Sequence, residues 1–447
     1  MSTTFEVGAS PLVLRGGRVL TDAGLVDAEL RCERGVITEL AASVDHAGAM
    51  VLDAGGAVVG PGLVDLHTHL REPGREQAET IETGARAAAL GGYTAVVAMP
   101  NTEPCCDQAS VALAVLERGR GACCEVAVAG AITVGRAGRD LAPLAELAAL
   151  GVELFTDDGS GVQDGGVARR ALEYLRGLSA TYAEHCEDDA IAAGGVAHEG
   201  AWSSALGLPG QPWVTEAAMV ARDLLLAELT GASLHLLHLS TARSVELVAA
   251  AKARGVAVTA EAAPHHFVLT DAALQSYDPC FRVNPPLRTE ADVAAVLDGL
   301  CDGTIDAIAT DHAPHTGEVK DRPFAEAPPG MLGLETAFSL AYEQLVVGRG
   351  VPIERLFSLL SSAPARIARL DEAGRRPFGH SAQGGPLRVG AMANLCVVDL
   401  EARWRCQGAQ LASKAANTPY EGRMLQGRVR HTVLRGEPVV IDAAAQR

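Results

Sequence analysis

The residues best suited to chemistry lie in Val64-Asp65-Leu66-His67-Thr68-His69-Leu70-Arg71. This run follows apolar Ala57-Val58-Val59 and the punctuation Gly60-Pro61-Gly62, so it reads as a short buried strand. Side chains at i, i+2 and i+4 of a strand share a face. His67, His69 and Arg71 then stand on one side with Asp65 behind them. Two imidazoles so spaced can bite one metal ion, and the guanidinium beside them suits an anion. Alone, a His-x-His is equally consistent with core or surface histidines that happen to alternate.

The elements that must position these groups are strands alternating with Ala/Leu-rich helices. Beyond the opening strand, apolar runs occur at Tyr93 to Pro100, Glu125 to Gly130, Val152 to Thr156, Ala180 to His185, Leu234 to Leu239, Val256 to Glu261 and Ile305 to Asp311. Helical stretches at Ala109 to Arg118, Gly166 to Leu178, Thr215 to Leu229 and Ala242 to Arg254 separate them. Eight β-then-α repeats predict an α/β fold, a (β/α)8 TIM-type barrel. An open doubly wound sheet is the competing topology, but the glycine-rich phosphate turn after its first strand is missing.

A barrel of this kind carries its site at the carboxyl ends of the strands. Those ends hold His67, His69 and Arg71, then Pro100-Asn101-Thr102, Asp157-Asp158, His185, His238, Pro264-His265-His266 and Asp311-His312-Ala313-Pro314-His315. Buried imidazoles and carboxylates need partners, and a divalent metal pair satisfies the histidines and aspartates together. Nitrogen and oxygen ligands suit Zn²⁺, with Mn²⁺, Co²⁺ or Fe²⁺ compatible by ligand type. Cys186 follows His185 and points to the opposite face. Asp157 and Asp158 also point opposite ways, so only one is expected to be a ligand.

The 447 residues exceed one usual domain, and a barrel of about 250 residues or more with a smaller companion accounts for them. Both ends read as short β runs, and neither has enough strands for its own core. Joined, residues 1–60 and 376–447 are expected to form one small β-sandwich, leaving 61–375 to the barrel. A hydrophobic content of 48% suits a compact enzyme, and the formal charge of −18 argues against nucleic acid or an anionic membrane as partner. The first residues lack a secretion signal and no apolar run is long enough to span a bilayer. Adjacent cysteines such as Cys105-Cys106 and Cys123-Cys124 then read as reduced, and the cytoplasm as the compartment. The lysines are only Lys252, Lys320 and Lys414.

Asp65-x-His67-x-His69 with a strand-eight Asp311 resembles the amidohydrolase superfamily. Within it, His69-Leu70-Arg71, Met99-Pro100-Asn101-Thr102, Phe155 to Gly159 and Glu184 to Asp188 resemble the class I dihydroorotases. Val283 to Arg288, Asp311 to His315 and Asn417-Thr418-Pro419-Tyr420 extend the likeness. It implies a metal centre in which His67, His69 and Asp311 hold the more buried ion and His185 and His238 a second. Many superfamily members bridge the ions with a carbamylated lysine on strand four. Here the first lysine is Lys252, so a carboxylate must substitute, and similarity points to Asp158. Asp157 then turns away into a supporting hydrogen bond.

The implied reaction is the reversible cyclisation of N-carbamoyl-L-aspartate to L-dihydroorotate. A metal lowers the pKa of bound water from about 15.7 to about 7. That is on the order of 12 kcal/mol of help in forming hydroxide. Asp311 is placed to shuttle the proton between the attacking oxygen and the ring nitrogen. Arg71 fits the ring carboxylate. By resemblance, Asn101 and His315 share that carboxylate and Asn284 contacts the ring. A homodimer is expected from the family, and association with aspartate carbamoyltransferase is compatible with it.

His235, His265 and His266 are expected to support or pack, and His46, His198, His380 and His431 to lie on the surface. Thr316 to Gly330 reads as a loop able to close over substrate. Two other functions compete. An allantoinase would give Arg71 no carboxylate to hold, and an inactive scaffold for aspartate carbamoyltransferase should have lost ligands that are all present.

Overall fold

The computed structural model describes residue 8, residues 10–372 and residues 380–447. The expected domain boundary at 375/376 lies outside the described residues. The eight expected barrel strands are Leu63–Thr68, Tyr93–Ala98, Glu125–Val128, Leu154–Phe155, Thr181–Glu184, Leu234–Leu236, Val258–Ala262 and Ala307–Ile308. The first three pair in parallel, as do the last five. Parallel bridges Gly130↔Phe155 and Thr68↔His312 join the two sets into a closed barrel.

Along the second strand, Ala95, Val97 and Met99 join one buried cluster while Val96 and Ala98 join another. That is the alternation of a strand covered on both faces. Helices Ala109–Gly119, Gly165–Leu178, Val214–Thr230 and Ala242–Ala253 fall where the sequence places them. Most of the strands are shorter than the apolar runs, while the seventh, Val258–Ala262, starts two residues later than its run and ends one residue beyond it.

Both termini build one nine-stranded sheet. Leu12–Thr21 pairs with Gly24–Glu33 on one side. On the other it pairs with Met50–Asp53 and then with Val58–Pro61. The register slips between Leu14 and Gly17, where Gly16 has φ +68° and the strand bends. Leu395–Arg405 pairs with Val58–Pro61, so the carboxyl-terminal strands complete the sheet. The sandwich core draws Leu14, Leu30 and Ile37 from one end and Leu395, Val397 and Val433 from the other.

Three histidines depart from expectation. His198, His380 and His431 are buried. His198 packs on Arg288, His380 Nε2 meets Glu372 O at 2.7 Å, and His431 Nδ1 accepts from Asp442 N at 3.1 Å. For His198 and His431 the buried surroundings come from distant segments, which no local pattern reveals. His46 is half-buried, 2.8 Å from Glu29. None of the ten cysteines is bridged.

Gly62 enters the barrel where a Cβ would overlap the Thr94 side chain of the next strand. Gly62→Ala should therefore destabilise the protein by about 2 kcal/mol, read as a lowered denaturation midpoint with unchanged m-value.

Candidate metal centre

Six sequence-predicted ligands meet at the carboxyl end of the barrel. Asp158 lies among four imidazoles: His67 Nε2 at 3.3 Å, His69 Nε2 at 3.6 Å, His185 Nδ1 at 3.6 Å and His238 Nε2 at 3.7 Å. Asp311 Oδ1 stands 3.3 Å from His69 Nε2 and 3.6 Å from His67 Nε2. His185 Nδ1 and His238 Nε2 are 3.0 Å apart. The triads His67–His69–Asp311 and His67–Asp158–His238 each bring three donor atoms within 4.8 Å of one another. His67 Nε2 is buried without a hydrogen-bond partner, as a nitrogen kept for a metal should be. Nitrogen and oxygen donors in two overlapping buried groups fit a pair of divalent ions.

Electrostatics support that fit. Burial alone would raise the Asp158 carboxyl, but His67, His185 and His238 hold it well below the usual range. Asp311 is likewise lowered against its burial, by His69, His67 and His238. Burial opposes a proton on His185, yet Asp158 and Glu187 raise it to about 10. Ionised carboxylates buried among imidazoles are the field a divalent cation requires.

Two supports, Glu261 and Glu187, were not singled out by the sequence reading. Glu261 stands 3.1 Å from His67 Nδ1 and 3.0 Å from His235 Nε2, and these contacts keep it ionised, at about 2, despite burial. It fixes the ring so that Nε2 faces the centre. Glu187 Oε2 is 3.7 Å from His185 Nε2. Strand alternation on Thr259-Ala260-Glu261 was the available signal for the first. For the second there was only its position two residues beyond His185. Asp157 accepts from Ile132 N and Thr133 N at 2.8 and 3.0 Å, and from Thr133 Oγ1, in the loop after strand three. Asp65 accepts from Thr310 N at 2.7 Å and Thr310 Oγ1 at 2.6 Å, tying strand one to strand eight. His265 Nε2 lies 3.8 Å from Asp311 Oδ2, and His266 Nε2 lies 2.9 Å from Pro285 O.

The backbone at the site is unusual. Arg71, His238 and Asp311 have φ of +60°, +30° and +47°. Left-handed backbone at side-chain-bearing residues is costly and tends to occur where the surroundings enforce it. Arg71 therefore comes to the site on a turn, because the extended strand stops at Thr68.

A cavity of about 220 Å³ opens beside the centre, lined among others by Arg71, Asn101, Asp158, Asn284, Asp311 and His315. Asn101 also supports the ligands, with Oδ1 2.9 Å from His69 Nδ1 and Nδ2 donating to Asp158 Oδ2 at 3.1 Å. Asn284 Nδ2 is 3.5 Å from His185 Nε2. Arg71 Nε donates to Pro314 O at 3.1 Å, and its NH2 lies 3.3 Å from His315 Nε2. Glu72, a possible partner for Arg71, instead pairs with Arg118 at 2.9 Å.

The Thr316 to Gly330 loop is tied down. Lys320 Nζ donates to Pro279 O and Pro328 O at 2.7 and 2.9 Å, and Arg282 NH1 donates to Phe324 O at 3.1 Å.

Glu261→Ala should weaken metal retention about 10- to 100-fold while leaving the fold intact, read as metal content after dialysis against graded chelator.

Two family models match the chain: "Dihydro-orotase-like" over residues 56–244 and "Amidohydrolase family" over residues 225–439. The dihydroorotase of Streptomyces coelicolor is 46% identical over 436 residues, covering 97% of this chain and 99% of that one. The dihydroorotase of Mycobacterium leprae is 47% identical over 430 residues, 95% of this chain and 97% of that one. Among solved structures, L-hydantoinase from Arthrobacter aurescens superposes with TM-score 0.86 at 24% identity, covering 98% of this chain and 97% of its own. Dihydropyrimidinase from Brevibacillus agri gives 0.82 at 22%, covering 98% and 96%. These two likenesses bear on the fold, a barrel with a terminal β-sandwich. Near-full-length identity to the curated relatives goes further, and the site geometry agrees with it: the chain belongs to the dihydroorotase family of the amidohydrolase superfamily.

Proposed function

We propose that the chain is a zinc-dependent dihydroorotase, interconverting N-carbamoyl-L-aspartate and L-dihydroorotate in pyrimidine synthesis. Arg71 carries the reading. Its side chain is buried at 7% exposure, and burial together with Arg75 pushes its pKa down to about 10. Among the described residues no carboxylate lies within ion-pair distance of it. A buried cation without a counter-charge is costly, and a substrate carboxylate supplies one in bidentate geometry. Allantoin has no carboxylate to offer. A scaffold without catalysis would have no use for the complete set of ligands.

In this reading His67, His69 and Asp311 would hold one ion and His185 and His238 the other, with Asp158, in reach of all four imidazoles, as a shared ligand. When bound, the metal pair supplies an oxygen nucleophile at neutral pH and polarises the amide carbonyl. Asp311 moves the proton. Its Oδ1 faces His67 and His69, which leaves Oδ2 to take the proton of the attacking oxygen and pass it to the departing ring nitrogen. Cyclisation runs the same transfer backwards. His315, whose pKa burial and Arg71 push down to about 3, stays neutral and shares the substrate carboxylate with Arg71 and Asn101. Asn284 meets the ring. Among the described residues no helix is long and apolar enough to cross a membrane. A cytoplasmic homodimer, able to associate with aspartate carbamoyltransferase, is the assembly that goes with this reading.

Arg71→Met should raise KM for carbamoyl aspartate at least about 30-fold, as expected when one partner of a desolvated charge pair is removed. An unchanged KM in steady-state assays would sink the substrate assignment. Asp311→Asn should lower kcat by about 10²- to 10⁴-fold in both directions, measured on protein of matched metal content.

A further inference from the structure

Arg71 is held by the loop opposite it, and the hold on that loop comes from the far end of the chain. Asn417 is 4% exposed and sits between Gly408–Gln410 and the strand Met424–Leu434. Its Nδ2 donates to Ala313 O and to Gly330 O, each at 3.1 Å. Its Oδ1 accepts from His315 N at 3.1 Å. These three bonds pin both ends of the segment that walls the catalytic cavity with Ala313, His315 and Gly330. The same backbone carries Pro314 O, which accepts from Arg71 Nε, and the His315 ring beside Arg71 NH2.

The amide has two N–H donors, and both are engaged with the loop. It therefore has no donor left for substrate and acts only through its neighbours. Two donors and an acceptor in one plane also explain the residue type. Aspartate would face two carbonyls without a proton, and alanine would leave all three groups unmet.

We propose that Asn417 is a positioning residue for the carboxylate clamp, by which the terminal segment sets the aim of Arg71 and His315. This rests on the reading of Arg71 as the clamp, so the test is a double-mutant cycle on metal-loaded enzyme. Asn417→Ala should raise KM for carbamoyl aspartate about tenfold with kcat nearly unchanged, within the range for coupled neighbours. Metal content should match the wild type. In an Arg71→Met background the same change should raise KM much less, leaving only the part that acts through His315. Asn417→Asp, nearly isosteric, should behave like the alanine variant and carries the cycle if that variant folds poorly. An equal rise in KM in both backgrounds overturns the positioning role while leaving the clamp standing. So does a wild-type KM in the single variant, or a loss confined to kcat. A wild-type KM for Arg71→Met alone overturns the clamp and the inference with it.

Discussion

The mouth of the barrel is organised around one buried carboxylate. Asp158 has four imidazoles within 3.7 Å, drawn from three barrel strands, and remains ionised against its burial because of them. A lone carboxylate in such a place would take up a proton, and lone imidazoles would need partners of their own. Each is tolerable only because the others are there. The supports are spent on keeping that arrangement in register: Glu261 sets His67, Asn101 spans His69 and Asp158, and Glu187 approaches His185. None of Lys252, Lys320 and Lys414 stands at this position, which an aspartate occupies.

The substrate side is organised by the opposite sign. In a chain of net charge −18, the cavity needs a placed cation, and Arg71 is brought to it on a left-handed turn. The loop after strand eight supplies the surfaces that hold it, Pro314 O and the His315 ring. That loop is fastened at its ends by Asn417 and along its length by Lys320 and Arg282. Barrel and terminal segment thus divide the work: one presents the cluster of imidazoles and carboxylates, the other fastens the wall across from it.

Much of this was legible in the sequence because strand periodicity and barrel topology act together. A two-residue repeat announces His67 and His69, and the rule that sites gather at strand carboxyl ends collects Asp158, His185, His238 and Asp311 from widely separated parts of the chain. What stayed hidden depended on contacts between distant segments. Glu261 looked like an ordinary strand residue until its pairing placed it between His67 and His235. No glycine marked the left-handed backbone at Arg71, His238 and Asp311, since the cost is borne by packing rather than by residue choice. His198 and His431 read as surface because their partners, Arg288 and Asp53, are far away in sequence.

The central claim is that Asp158 stands between two ions in the place of a lysine. Anomalous-scattering maps of crystals grown with zinc test it most directly. The account predicts two peaks flanking the Asp158 carboxylate, one beside His67, His69 and Asp311 and one beside His185 and His238. A single peak, or a pair that Asp158 does not touch, would contradict it.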